Sequence, residues 1–248
     1  MKFSVITVTY NSSETLKDTL SSVADQSLPA IEHIVIDGAS KDNTDEVISL
    51  HGSHVVNYIS EPDFGIYDAM NKGLKLATGE VVCFLNAGDF YIDSGVLERV
   101  DKVMNLEDLD VIYGDVAYFR GENKKNIIRR YKSEYFHPRL LVKGFMPAHP
   151  AFFMRRDIYQ RIEPFRINYK IAGDFEMMVR IFSDNTLRFR HMQEVLIMMR
   201  LGGISNMGIK SFIVINAEIL RACRENGLKT NILKILSKYL LKITEFFG

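Results

Sequence analysis

The chain has 248 residues, 47% hydrophobic and 25% charged, which excludes a disordered protein and leaves room for one large α/β domain or two small ones. Its 31 Lys and Arg residues balance 31 Asp and Glu residues, so no global positive field is available to grip a nucleic acid backbone, and nucleic acid is not an expected partner. Two cysteines, Cys83 and Cys223, stand without CxxC spacing and read as buried thiols of a chain in a reducing cytoplasm.

The opening MKFSVITVTYN reads as a first strand, because its apolar run is too short for a signal segment and no small-residue cleavage site follows. No segment approaches the roughly 18 uninterrupted apolar residues that cross a bilayer, so any membrane contact is expected to be peripheral. After that strand Asn11, Ser12 and Ser13 offer cap chemistry for a helix over SETLKDTLSSVADQ. IEHIVID is a second strand ending at Gly38, and Asn43 and Thr44 are set to cap DEVISLHG. VVNYIS is a third strand, IYDAMNKGLKLA a helix, and EVVCFL a strand that runs into FLNAGDF. This alternation predicts βαβ units and an α/β fold with a mostly parallel central sheet flanked by helices.

Beyond Asp93 a helix is expected near VLERVDKVM, a strand near DVIYGDVAYF, and a basic, aromatic-rich loop over 124–145, its charged part a solvated run. AFFMRRDIYQRI reads as a strand entering a helix, GDFEMMVRIF as a helix beginning near Asp174, and RFRHMQEVLIMMR as a strand. Two further helices follow Gly202 and Gly203, dividing the chain into a catalytic-type domain over 1–205 and a helical extension over 206–248. The last helix sets Lys234, Lys238 and Lys242 at i, i+4 spacing, with Leu233, Leu236, Leu240, Ile243 and Phe247 on another face. Such a helix packs on its own domain, on a partner such as a second copy in a homodimer, or on an anionic membrane surface.

In a parallel sheet, ligands gather at the carboxyl ends of the strands. Here those ends carry Thr9 and Asn11, then Asp37, then Asn86 and Asp89. A rim rich in Asp and Asn near helix N-termini suits a phosphorylated ligand and a cation. Neither GxGxxG nor GxxxxGK[ST] is present, which removes the two common nucleotide cradles.

The stretch VITVTYNSSETLKDTLSSVADQSLPAIEHIVIDGASKDNT resembles the nucleotide-binding half of family 2 glycosyltransferases with the GT-A fold. EPDFGIYDAMNKGLKLATGEVVCFLNAGD resembles the same family's helix and metal-binding strand end, and IAGDFEMMVR its catalytic helix start. The resemblance implies inverting transfer of a sugar from a nucleotide-diphosphate donor to an acceptor hydroxyl, on a saccharide or lipid-linked saccharide. It also implies a role in bacterial surface polysaccharide or glycolipid synthesis, in the cytoplasm or peripherally at the inner membrane face.

By the same resemblance Thr9 and Asn11 line the nucleotide pocket, Asp37 bonds the base or ribose, and Gly65 and Asn71 lie near the nucleotide. Asp89 holds Mn²⁺ or Mg²⁺, Asn86 offers an oxygen to the metal or sugar, Asp174 is the general base, and His149 meets the acceptor or the departing diphosphate. Each has a plainer reading: Asn11 and Asp174 as helix caps, Asp37 as a turn residue before Gly38, Asn71 as a polar helix position, His149 as a structural ring. Of Arg155 and Arg156, at most one is expected to face the acceptor or a phosphate, since adjacent residues seldom share a direction.

Two departures stand out. Asn86 and Gly88 replace carboxylates the family usually has, leaving Asp89 alone, and Gly173 replaces the usual Glu before Asp174. One carboxylate can serve when donor phosphates and waters complete an oxygen shell. Two other functions compete: a nucleotidyltransferase, although VTYNSSET lacks a Gly-rich basic loop, and a non-catalytic nucleotide-sugar-binding protein with a reduced metal site.

Overall fold

All seven residues of β1 (Phe3–Thr9) are buried, as befits a central strand covered on both faces, where alternation with polar residues has no place. β1 pairs in parallel with β2 (Ile31–Asp37) and β4 (Val81–Phe84), and β2 pairs in parallel with β3 (Val55–Ser60). The register sets Thr9 directly beside Asp37, so the two strands end at one rim. The remaining strands are β5 (Phe90–Tyr91), β6 (Val111–Phe119), β7 (Ile127–Tyr131), β8 (Phe152–Arg155) and β9 (Phe189–Arg200). The nine-stranded sheet runs β3-β2-β1-β4-β8-β6-β9-β5, with β7 on β6. β8 enters antiparallel between β4 and β6, while β6 and β9 are parallel to each other. β1, β2, β3, β4, β6 and β9 therefore share one direction, which is the mostly parallel α/β sheet expected, and their carboxyl ends face one side. The described residues are 1–28, 31–121, 126–201 and 208–244 of the computed structural model.

Eight helices cover the sheet: α1 (Ser13–Ala24), α2 (Thr44–His51), α3 (Ile66–Leu76), α4 (Val96–Leu106), α5 (Arg156–Arg161), α6 (Gly173–Ile181), α7 (Ile209–Glu225) and α8 (Ile232–Thr244), counted among the described residues. Ile6, Ile36, Met70, Phe84, Met178 and Ile219 belong to one core layer, while Phe3, Val81, Val100 and Phe153 belong to the layer under α4. Among the described residues no helix is long and apolar enough to cross a membrane.

The expected caps at Ser12 and Asn43 make no side-chain capping bond to their helices; the Ser12 hydroxyl donates to the Tyr10 carbonyl at 3.0 Å. Asp42 serves both helices instead, accepting from the Ser13 N–H at 3.0 Å and the Thr44 N–H at 3.1 Å. Desolvation would raise its carboxyl, but bonds from Thr44 and Ser13 hold it down to about 2. One carboxylate thus satisfies orphan donors at the first turns of two helices, which spacing within either segment does not reveal.

Three other expectations are corrected. The loop over 124–145 contains β7, paired antiparallel on β6, and a 3₁₀ helix over Pro138–Lys143. The residues of β7 are largely exposed edge-strand positions, so no apolar alternation announces them. Residues 122–125 lie outside the described residues. The lysine stripe of α8 is broken, because Lys238 is turned inward and 5% exposed while Leu233 is 75% exposed. Finally, Arg155 and Arg156 donate to the carbonyls of Leu109 and Gly79. With Arg155 opposite Val81 at the start of β4, both arginines lie at the end of the sheet away from the polar rim.

β2 carries an unexpected polar element. His33 is 1% exposed, with Nε2 2.9 Å from the Thr7 hydroxyl and Nδ1 2.9 Å from His54. Burial and the neighbouring His54 push the His33 imidazole down to about 3, so the folded protein keeps it neutral. Between the ordinary value near 6.5 and about 3, the unfolded chain binds a proton that the native ring refuses. Stability is therefore expected to fall as pH drops through that window, by up to about 1.4 kcal/mol per pH unit for this group. Urea midpoints measured from pH 7 to 5 should show a shallower slope in His33→Gln than in the wild type; identical slopes would remove His33 as the source.

Candidate active site

The rim is built from three strand ends that tertiary contacts tie together. Asn11 has a left-handed φ of 47°, and its side-chain oxygen accepts from the Lys41 N–H at 2.8 Å while its own N–H donates to the Ser40 hydroxyl at 2.7 Å. Asp37, fully buried, accepts from the Ser40 N–H at 2.9 Å, the Ser60 hydroxyl at 2.7 Å and the Ser40 hydroxyl. These bonds make Asn11 and Asp37 the lock between the loops after β1 and β2, and Asn11 caps no helix. Gly65, at φ 109°, precedes the first turn of α3 with no atom within 4 Å of where a β-carbon would stand, leaving that N-terminus open to close approach. Asn71 is spent otherwise: its amide donates to the Phe165 carbonyl and accepts from the Phe165 N–H, both at 2.8 Å. It braces that segment against α3.

A cavity of about 330 Å³ opens between this rim, α3, α6 and the C-terminal helices, and its walls include Asn86, His149, Asp174, Tyr67, Tyr118 and Lys238. Three of the sequence candidates, Asn86, His149 and Asp174, are thus brought together from positions far apart in the chain. Thr9, Asn11, Asp37, Gly65, Asn71 and Asp89 are not among its walls.

Asp174 is the second residue of α6, with one carboxylate oxygen accepting from the Phe175 N–H at 2.8 Å. Burial pushes its carboxyl up to about 6, opposed by that N–H and the neighbouring Tyr67 hydroxyl. A carboxylate so placed accepts a proton readily near neutral pH, and still ionises there. Tyr67 donates to the Ile171 carbonyl at 2.6 Å, and Glu218 on α7 accepts from the N–H groups of Lys170, Ile171 and Ala172 at 2.7, 2.9 and 2.8 Å. Both clamp the segment that presents Asp174. Sequence reasoning missed them, since Tyr67 stands at an unmarked position between Gly65 and Asn71 and Glu218 falls in none of the quoted stretches.

The glycine before Asp174 now has a reason. A β-carbon on Gly173 would stand 2.6 to 2.8 Å from three atoms of the Tyr67 ring, which occupies the space a longer side chain would need. Gly173→Ala is expected to displace that ring, lowering stability by about 1–3 kcal/mol and slowing turnover, with chemical denaturation and initial rates as the measurements. Wild-type values in both would remove the Tyr67–Gly173 contact from the site's design. Arg180, counted with Asp174 in the motif, instead grips buried Glu176 at 2.8 and 2.9 Å and bonds the Pro164 carbonyl at 3.1 Å. It holds α6 in place and does not line the cavity.

His149 is 6% exposed, stacked on Phe84 at 5.3 Å and edge-on to Phe165 at 5.9 Å. Burial pushes its imidazole down to about 4, so at neutral pH the ring offers a hydrogen bond and no positive charge. A cationic role toward a departing diphosphate does not fit it.

At the strand ends, Thr9 Oγ1 and Asn86 Oδ1 are buried with no hydrogen-bond partner among the described residues. Leaving such a group unsatisfied costs about 1–3 kcal/mol, a burden a ligand at the rim would relieve. Asp89 is 6% exposed, and burial alone pushes its carboxyl up to about 8; its carboxylate has no hydrogen bond or ion pair among the described residues. Its charge is felt by Tyr118, a wall of the cavity. Among the described residues no three His, Cys, Asp or Glu side chains converge as a self-sufficient metal site. A buried, unpaired carboxylate and an orphaned amide oxygen are hard oxygen donors that suit a divalent cation sharing its shell with phosphate and water.

Comparison with solved structures identifies the fold class. The S. aureus TarS 1–349 structure superposes with a TM-score of 0.71 at 20% identity, over 95% of this chain and 71% of that one. The mannosyltransferase PcManGT of Pyrobaculum calidifontis, in complex with GDP-Man and Mn²⁺, superposes with a TM-score of 0.64 at 18% identity, over 89% of this chain and 64% of that one. These are GT-A glycosyltransferase folds. The model of Glycosyl transferase family 2 matches residues 4–163, and the chain belongs to that family. A PGL/p-HBAD biosynthesis glycosyltransferase of Mycobacterium bovis is 32% identical over 209 residues, covering 82% of this chain and 79% of the relative. An uncharacterized glycosyltransferase of Mycobacterium tuberculosis is 30% identical over 182 residues, 71% of this chain and 67% of the relative. The protein is a glycosyltransferase.

Proposed function

We propose that the protein transfers a sugar, with inversion, from a nucleotide-diphosphate donor at the strand-end rim to an acceptor hydroxyl in the Asp174 cavity, in the synthesis of a surface polysaccharide or glycolipid. The observation that carries this reading is a desolvated carboxylate, raised to about 6, in the wall of a 330 Å³ cavity that also takes in the strand-end residue Asn86. TarS, a fold neighbour, is known in complex with UDP-GlcNAc, and PcManGT with GDP-Man and Mn²⁺, which supports a nucleotide-sugar donor here.

Asp174 takes the proton of the acceptor hydroxyl as that oxygen bonds to the anomeric carbon. The bond from that carbon to the diphosphate oxygen breaks, and the nucleoside diphosphate leaves with the electron pair. Tyr67 and Glu218 keep the base at its station by holding the 170–172 backbone. Thr9 and Asn86 supply unsatisfied polar atoms to the donor, and Asn11, Asp37 and Gly65 shape the nucleotide side of the rim. Asp89 and Asn86 are the residues that would hold Mn²⁺ or Mg²⁺. The cation, when bound, supplies positive charge to the developing diphosphate.

Incubating the protein with UDP-, GDP-, dTDP- and CMP-sugars and Mn²⁺ tests this reading. Slow release of free sugar from one donor is the expected result, together with selective thermal stabilisation by that donor. Pyrophosphate exchange would assign a nucleotidyltransferase, and binding without turnover a non-catalytic nucleotide-sugar-binding protein.

A further inference from the structure

Helix α1 gives Leu16, Leu20 and Val23 to the apolar core. Two more of its residues, Thr19 and Ser22, and Gln26 just past its end, are polar, and all three bond one segment over 88–97. Gln26 donates to the Asp93 carbonyl at 2.8 Å and accepts from the Leu97 N–H at 3.0 Å. The Ser22 hydroxyl accepts from the Tyr91 N–H at 3.3 Å. The Thr19 hydroxyl donates to the Asp89 carbonyl at 2.8 Å and accepts from the Gly88 N–H at 2.9 Å. Thr19 therefore holds the part of the segment that carries Asp89.

The two bonds of Thr19 are not equivalent to two bonds made anywhere else in the turn. The Gly88 N–H belongs to the peptide before Gly88 and the Asp89 carbonyl to the peptide after Asp89, so one hydroxyl clamps both ends of the pair. The Asp89 N–H donates to the Asn86 carbonyl at 3.0 Å and the Ala87 N–H to the Val8 carbonyl at 3.1 Å, which completes the backbone of the turn. Gly88, at a left-handed φ of 95°, lets the turn run close against α1, for a β-carbon there would stand 3.3 Å from the Thr15 hydroxyl. The Asp89 carboxylate has no hydrogen bond or ion pair among the described residues, and so it takes its direction from the backbone that bears it. Thr19 itself is 0% exposed and meets no ligand.

We propose that Thr19 is the positioning residue of the cation site: its hydroxyl fixes the Gly88–Asp89 backbone and so aims the Asp89 carboxylate at the cation and the donor diphosphate. The proposal rests on the reading of Asp89 as the cation's ligand. A hydroxyl suits the task because it donates and accepts at once, which valine, of the same shape, cannot do. A carboxylate whose backbone is already fixed binds an ion without the ordering cost that a loose turn would bear.

Calorimetric titration of Mn²⁺ into the full chain with UDP, GDP or dTDP present tests it, with urea midpoints measured on the same variants. Thr19→Val is expected to weaken Mn²⁺ binding by about 10- to 100-fold, the usual effect of removing a group that orients a metal ligand. Thr19→Ser, which keeps the hydroxyl, should restore wild-type affinity. Gln26→Leu removes the bonds to Asp93 and Leu97, about two helical turns away on the same segment. It should lower the urea midpoint as Thr19→Val does and leave Mn²⁺ affinity unchanged, whereas a merely structural threonine would give both variants the same result. Thr19→Cys, with a weak donor and acceptor in place of the hydroxyl, provides the same reading with a smaller loss should the valine variant fail to fold. Wild-type Mn²⁺ affinity in Thr19→Val or Thr19→Cys, or an equal loss in Gln26→Leu, overturns the proposal. Asp89→Asn separates this proposal from the reading beneath it. Affinity lost there but kept in Thr19→Val removes Thr19 alone. Wild-type affinity in Asp89→Asn, or a wild type that binds no Mn²⁺ with any of the three nucleotides, removes the cation site and the proposal with it.

Discussion

Replacing Asp174 by Asn is expected to cut transfer by about 10²- to 10⁴-fold, the usual contribution of a positioned general base, while nucleotide-sugar binding stays near wild type. Asn keeps the size of the side chain and can still accept from the Phe175 N–H, so helix α6 should start as before. The wild-type pH profile provides a second reading of the same group. Its carboxyl is raised to about 6, the base works only when ionised, and below that value the rate should fall tenfold per pH unit. An unperturbed aspartate would hold its rate down to about pH 4. Initial rates from pH 5 to 8 with saturating donor decide the matter. Full turnover by Asp174→Asn, or a flat profile through pH 6, would remove Asp174 from proton transfer.

The second large effect concerns Asp89. Asp89→Asn is expected to weaken Mn²⁺-dependent donor binding by about 100-fold or more, because even outer-shell partners of metal ligands are worth about 10- to 100-fold in affinity. Chelation of divalent cations from the wild type should mimic the variant, and added Mn²⁺ should rescue only the wild type. The folded protein itself should not suffer. Burial raises this carboxyl to about 8, far above its unfolded value, so its ionised form opposes folding as pH rises through that range. Asn carries no such charge, and the cation-free variant should melt no lower than the wild type at pH 8. Stability lost at a site where activity is gained marks a residue kept for function. Calorimetric Mn²⁺ titrations with the donor present provide the measurement, and equal Mn²⁺ dependence in variant and wild type would leave Asp89 no role as a ligand.

Short runs rich in apolar, β-branched or aromatic residues marked the covered strands such as β1, β2, β4 and β8, and amphipathic stretches marked the helices between them, because a strand buried on both faces has few polar positions while a helix on a sheet repeats with its own period. β5, two residues long, and exposed β7 carry too little of that signal. The rim could also be read, since polar residues end strands that are otherwise apolar. What each polar residue does there could not. Asn71 and Asp37 were candidates of the same kind as Asn86 and Asp174, yet their polar atoms also hold together the fold itself, through Phe165, Ser40 and Ser60. Phe165 and Ser60 lie 94 and 23 residues from the side chains they bond, whereas Ser40 stands only three residues from Asp37.

By itself the sequence determined the α/β alternation, the polar strand ends and the family, because each is written in local pattern or in motifs a few residues long. Only the tertiary structure decided that Asn86, His149 and Asp174 share one cavity, that Tyr67 fills the space before Asp174, and that Lys238 points inward. The reason is physical: burial leaves a local apolar pattern in the chain, but hydrogen-bond satisfaction and desolvation depend on which distant segment packs alongside, and that pairing leaves no local pattern to read.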